Sequence, residues 1–69
     1  MFVELKAYQY VNGRHYTENI LFDVDDITRV VPCIDDSSYT NIITTDGEVH
    51  TILGRYQDVS KKVIEADNR

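Results

Sequence analysis

Between Tyr39 and Ala66 the apolar spacing changes from every second residue to every third or fourth, and a glycine marks each break. Such a change confines the stretch to a β-hairpin followed by an amphipathic helix. Asp46-Gly47 suits a two-residue type I′ turn, whose central positions both need positive φ. That turn would oppose Thr45 to Glu48, Thr44 to Val49, Ile43 to His50, Ile42 to Thr51, Asn41 to Ile52 and Thr40 to Leu53. Alternation then puts Ile42, Thr44, Val49, Thr51 and Leu53 on one face, the expected core side, and Ile43, Thr45, Glu48, His50 and Ile52 on the other. The second face is too apolar to be left to solvent, so Ile43, His50 and Ile52 form a candidate self-association face, to be covered by a closing barrel or a second subunit.

After Gly54, residues Tyr56, Val59, Val63 and Ile64 make one apolar stripe on a helix of about three turns. Gln57, Asp58, Lys61, Lys62 and Glu65 face away. A helix this short is marginal alone and must dock on the sheet.

The first third of the chain repeats the hairpin theme. Val3, Leu5, Ala7 and Val11 alternate with Phe2, Glu4, Lys6, Tyr8 and Tyr10, and Asn12-Gly13 leads into a second strand from Arg14 to Phe22. This turn opposes Tyr10 to His15, Tyr8 to Thr17, Ala7 to Glu18 and Leu5 to Ile20. Tyr8, Tyr10, His15 and Tyr16 are the candidate protein-binding residues, because tyrosine combines large contact area with a polar tip. Asp23-Val24-Asp25-Asp26 reads as a capped corner or single helical turn. Thr28 to Ile34 reads as a strand in which Pro32 demands an edge or a bulge, and Asp35-Asp36-Ser37-Ser38 is a loop by composition.

The expected architecture is α+β and mainly β: five antiparallel strands in a meander curled toward an SH3-like partial barrel, with one C-terminal helix. Residues 1–66 form a single small domain, and 67–69 are expected to fray. A chain of 69 residues buries only roughly 60% of its unfolded surface and has a small core. Its single cysteine, Cys33, cannot close an internal disulfide, which points to a reducing, cytoplasmic setting. Met-Phe-Val-Glu-Leu-Lys at the start matches no secretory leader, and no apolar run reaches membrane-spanning length. Twelve acidic against seven basic residues, net −5, repel nucleic acid and anionic membranes at long range. The expected partner is therefore another protein, a basic one being favoured.

Asp26-Ile27, Val30, Ile42, Thr44-Thr45-Asp46-Gly47, Val49, Tyr56, Asp58-Val59 and Val63-Ile64-Glu65 carry a resemblance spanning about two thirds of the chain. They resemble the FlbD family of short flagellar accessory proteins, which share an early Asn-Gly, a strand-turn-Gly-strand hairpin and a Val-rich final helix. They also resemble the C-terminal part of LytTR DNA-binding domains. The first likeness implies a small non-enzymatic bacterial regulator or assembly factor. The second implies DNA contact through loops rich in Lys and Arg, where this chain instead carries Asp35, Asp36, Asp46 and Glu48, so DNA binding is the least favoured function.

No catalytic signature, cofactor motif or metal-ligand spacing is expected to operate. Counted from Asp23, the positions where a calcium loop needs Gly and Glu hold Thr28 and Ile34. His15 and His50 lie in different hairpins without zinc spacing. The acidic residues Asp23, Asp25, Asp26, Asp35, Asp36, Asp46 and Glu48 form a candidate patch, and the alternative function is an acidic, phage-type inhibitor that imitates a phosphate backbone in the basic groove of a nucleic-acid-handling or defence enzyme. The favoured function is a bacterial or phage regulatory or assembly protein that binds another protein and forms homo-oligomers.

Overall fold

The structure is a computed structural model describing residues 1–67. Five strands, β1 (Phe2–Val11), β2 (Arg14–Asp23), β3 (Ile27–Pro32), β4 (Tyr39–Thr44) and β5 (Val49–Leu53), precede one helix, α1 (Tyr56–Asp67). Asp67 is thus the last residue of α1; Asn68 and Arg69, the rest of the expected tail, lie outside the described residues. All strands pair antiparallel in one sheet of order β2-β1-β5-β4-β3. The architecture is mainly β, α+β, with an open sheet.

This order is not the sequential one of a plain meander, because β1 pairs with β5 and leaves β2 and β3 at opposite edges. A 3₁₀ turn of three residues, Val24–Asp26, joins those two edges. Its Cα path spans at most about 14 Å, whereas five flat strands place their edges about 19 Å apart. The sheet must therefore curl, bringing its edges together at the Asp23–Ile27 end. Asp23 caps the turn, its Oδ1 accepting from the Asp25 N–H at 3.0 Å, and Val24 is buried.

The concave side holds the core. Val3, Leu5, Ala7, Phe22, Ile42 and Ile52 are buried there with Val24 and with Val59 of α1. Thr40 joins them, its hydroxyl donating to the Gly54 carbonyl at 2.8 Å. α1 presents Val59, Val63 and Ala66 to this core. Tyr56 and Ile64, expected on the docking stripe, are largely exposed, because a single row at three- and four-residue spacing is all that a 12-residue helix lays against the curled sheet.

Asn12 and Gly13 have φ of 52° and 78°, the I′ geometry, and every expected pair of the first hairpin is present: Tyr10 with His15, Tyr8 with Thr17, Ala7 with Glu18, Leu5 with Ile20. The second hairpin is one residue out of its expected register. Ile43 pairs with Val49, Ile42 with His50, Asn41 with Thr51, Thr40 with Ile52 and Tyr39 with Leu53. Of its turn residues only Gly47 has positive φ, 86°, so the loop is the three-residue form, Thr45-Asp46-Gly47, a type I turn closed by a left-handed glycine. Gly47 N–H donates to the Thr44 carbonyl at 2.8 Å and Thr44 N–H to Glu48 at 3.1 Å. Thr45 is drawn out of the ladder by Asp26, to which its N–H and hydroxyl both donate at 2.9 Å. Pro32 ends β3, an edge strand with a bulge between Ile27 and Arg29, as its missing donor requires.

Candidate recognition face

The one-residue slip decides which side chains meet solvent. Thr40, Ile42, His50 and Ile52 point to the core, while Tyr39, Asn41, Ile43, Val49, Thr51 and Leu53 share the convex face. The expected self-association set is therefore not brought together: Ile52 is fully buried, His50 is on the inner side with its ring edge-on to Phe22 at 5.2 Å, and Ile43 lies on the opposite face.

On the convex face the first hairpin supplies Tyr8, Tyr10, His15 and Thr17, since Ala7, paired with Ile52, fixes the inward parity of β1. Tyr39 arrives from β4, two strands away. The rings interlock: Tyr8 and Tyr39 meet edge-to-face with centroids 5.1 Å apart, Tyr10 and His15 lie 4.6 Å apart, and Tyr8 and His15 5.4 Å apart. The Tyr8 hydroxyl is hydrogen-bonded to Nδ1 of His15. Loss of hydration, followed by the neighbouring Tyr39 and Tyr10, raises the Tyr8 phenol above the ordinary tyrosine range. On the same face Val49 and Leu53 of β5 are exposed, Leu53 opposite Tyr39, while Phe2 and Leu21 are exposed at the far end of the first hairpin. α1 packs against the other side of the sheet. Thr51 donates to Asn41 Oδ1 at 3.2 Å across the same surface.

Tyr16 does not join the cluster. It sits on the inner side of the hairpin, where its hydroxyl donates to Gln9 Oε1 at 3.3 Å and Gln9 in turn donates to Glu18. Adjacent strand residues face opposite ways, so the separation of His15 from Tyr16 was available from alternation alone. Val49 and Leu53, absent from the expected set, could be placed only with the correct turn length; Tyr39, whose strand keeps its expected face, needed only the pairing of β5 between β4 and β1.

Beyond the Ala7–Ile52 pair, β1 and β5 diverge, opening a cavity of about 390 Å³ lined by Tyr8, Gln9, Val49, His50 and Thr51. The distal part of the β1–β2 hairpin continues past it as an arm in which residues 10–19 are all exposed, and the molecule measures 40 × 21 × 20 Å.

The acidic residues divide. Asp23, Asp26, Asp46 and Glu48 surround a second cleft of about 370 Å³ beside His50, and Asp25 is exposed on the adjoining turn. Asp35 and Asp36 lie beyond the other end of β4, where Asp36 Oδ1 accepts from the Ser38 N–H at 2.9 Å. Asp46 accepts from the Thr44 hydroxyl at 2.5 Å and the Glu48 N–H at 3.1 Å, and these bonds hold its carboxyl below the usual aspartate range. His50 Nε2 is 3.7 Å from Glu48. Among the described residues no group of three or more His, Cys, Asp or Glu is placed to hold a metal ion. Cys33 is half-buried. No helix among the described residues is long and apolar enough to cross a membrane. Compared with protein-family models, curated proteins and solved structures, the chain matches none.

Proposed function

We propose that this protein acts by binding another protein through the convex face of its sheet, without catalysing a reaction, as a small bacterial or phage regulatory or assembly factor. The observation that carries the proposal is the interlocked set Tyr8, Tyr10, His15 and Tyr39 on a face without a covering element among the described residues. Its rings are held by one another, so little side-chain entropy is lost on docking, the property that makes tyrosine effective at interfaces. The net charge of −5 favours a basic partner, and the resemblance to short flagellar accessory proteins supports a regulatory or assembly role.

Photocrosslinking tests this. A benzophenone side chain at Tyr10 or Val49 should capture a defined partner from bacterial lysate, and one at Lys62 should not. Tyr10→Ala should weaken the same capture by about thirtyfold, the effect of losing an aromatic anchor. Equal capture from Lys62, or capture indifferent to Tyr10→Ala, would overturn the proposal. The alternative, an acidic inhibitor seated in a basic groove, draws on the cleft where Asp23, Asp26, Asp46 and Glu48 meet. It requires capture that collapses with salt and with Asp46→Asn rather than with Tyr10→Ala.

A further inference from the structure

The two edges of the sheet are treated differently. β3 is six residues long, bulged between Ile27 and Arg29 and ended by Pro32, devices that discourage further pairing. β2 is ten residues long, is in continuous register with β1, and contains no proline or glycine. Its first half belongs to the exposed arm, a two-stranded ribbon, and such ribbons are marginal in water until further strands join them.

We propose that this arm is where a second copy of the chain pairs, β2 against β2 antiparallel, about a two-fold axis at Thr17. The ladder parity is fixed. Val24 N–H donates to the Met1 carbonyl at 2.9 Å, and the I′ turn makes Val11 and Arg14 a bonded pair, so Arg14, Tyr16, Glu18 and Ile20 direct their backbone groups to β1. His15, Thr17 and Asn19 direct theirs to the open edge. A two-fold axis normal to the sheet keeps opposite residues on one face, so the axis must pass through a residue. Through Tyr16 it would pair only Arg14–Glu18, with two bonded pairs against the three of an axis at Thr17, and through Glu18 it would oppose two carboxylates, which is destabilising. Through Asn19 it would engage Leu21 and Asp23, whose edge faces the β4–β5 hairpin across the second cleft. Through Thr17 it pairs Arg14–Ile20 with its copy on the free arm. Thr17 then meets Thr17, His15 meets Asn19, and Arg14 lies diagonal to Glu18 of the other copy, an opposite-charge contact within reach of long side chains. Both convex faces then look the same way, giving a bivalent recognition surface. The inference is independent of the proposed function: each can fail while the other stands.

The test is light scattering of the full chain at about 100 μM, a concentration suited to micromolar pairing, with charge-swap variants. The wild-type chain should be a dimer. Arg14→Glu should weaken pairing about tenfold, by setting two acidic residues across each diagonal, and Arg14→Glu with Glu18→Arg should restore it. In a Cys33→Ser background, Thr17→Cys should oxidise to a disulfide dimer, the bonded-pair Cα separation of about 5.5 Å being within disulfide range, and Val49→Cys should not. A wild-type monomer at that concentration overturns the inference. So does a dimer that ignores both charge variants, or one in which Val49→Cys crosslinks as readily as Thr17→Cys.

Discussion

Replacing Ile52 by alanine removes three carbons from a side chain with 0% of its surface exposed, packed between Ala7 of β1 and Thr40 of β4. At about 0.8 kcal/mol per buried methylene the transfer cost is about 2.4 kcal/mol. The cavity left in a core that relaxes only partly adds about 1–2 kcal/mol. The sum, about 4 kcal/mol, is comparable with the whole stability of a chain this size, about 3–10 kcal/mol. Val49 is 61% exposed and Leu53 43% exposed on the convex face. Scaled by their buried fractions, and without an enclosed cavity, their alanine variants lose about 0.6 and 1.4 kcal/mol. Urea unfolding, with the slope checked for constancy across variants, should rank Ile52→Ala far above Leu53→Ala and Val49→Ala. A two-residue turn at Asp46-Gly47 demands the reverse order, since it would bury Val49 and Leu53 and expose Ile52. Observing Leu53→Ala as the most damaging of the three would refute the register and, with it, the location of the recognition face.

Further outcomes follow from single contacts. Gly54→Ala should destabilise by about 1–3 kcal/mol, because φ is +150° and the added Cβ would lie 3.0 Å from Val59 Cγ2; thermal unfolding measures it. Val59→Asp should abolish the cooperative transition by burying an unpaired charge, while Ile64→Asp, on the exposed side of α1, should fold normally. Asp46 has a depressed carboxyl pKa in the folded state, so its stabilising contribution is complete above the unfolded aspartate value and is lost as pH falls through the lower folded one. Asp46→Asn should remove that part of the acid dependence, and an NMR titration placing Asp46 at or above the ordinary value would refute the assignment. Titration of the Tyr8 phenol should place it above the ordinary tyrosine range, and Tyr39→Phe should bring it down.

How far the fold was legible depended on turn chemistry. Asn accepts the left-handed region readily, so Asn12-Gly13 formed the I′ turn and carried all of the expected first-hairpin pairs. Asp46 kept its negative φ because its carboxylate had better use bracing Thr44 and Glu48, and the adjacent Thr45 was engaged by Asp26, nineteen residues away. That partner is remote in sequence, so no local pattern announces it. Pro32 at an edge, the capped corner at Asp23 and the seam through Val59 and Val63 were readable because each rests on one residue's local chemistry. The pairing of β1 with β5 was not, since it joins segments 45 residues apart through a single register pair, Ala7 with Ile52.

A slip of one residue has unequal consequences in this molecule. In a sheet buried on both faces it would exchange one apolar surface for another; in a curled sheet with a helix on its concave side, it decides which residues meet solvent. The convex face keeps Val49, Leu53 and half-buried Ile43 on the side of the four interlocked rings, although Thr at those positions would also suit a strand. Retaining apolar side chains there exposes the folded chain to nonspecific association, a cost that stability of the isolated domain does not offset. The proposed contact with a partner would use this apolar content, and the same alternation that buries Ile42 and Ile52 delivers Tyr39, Val49 and Leu53 to the surface on the same side as Tyr8 and Tyr10.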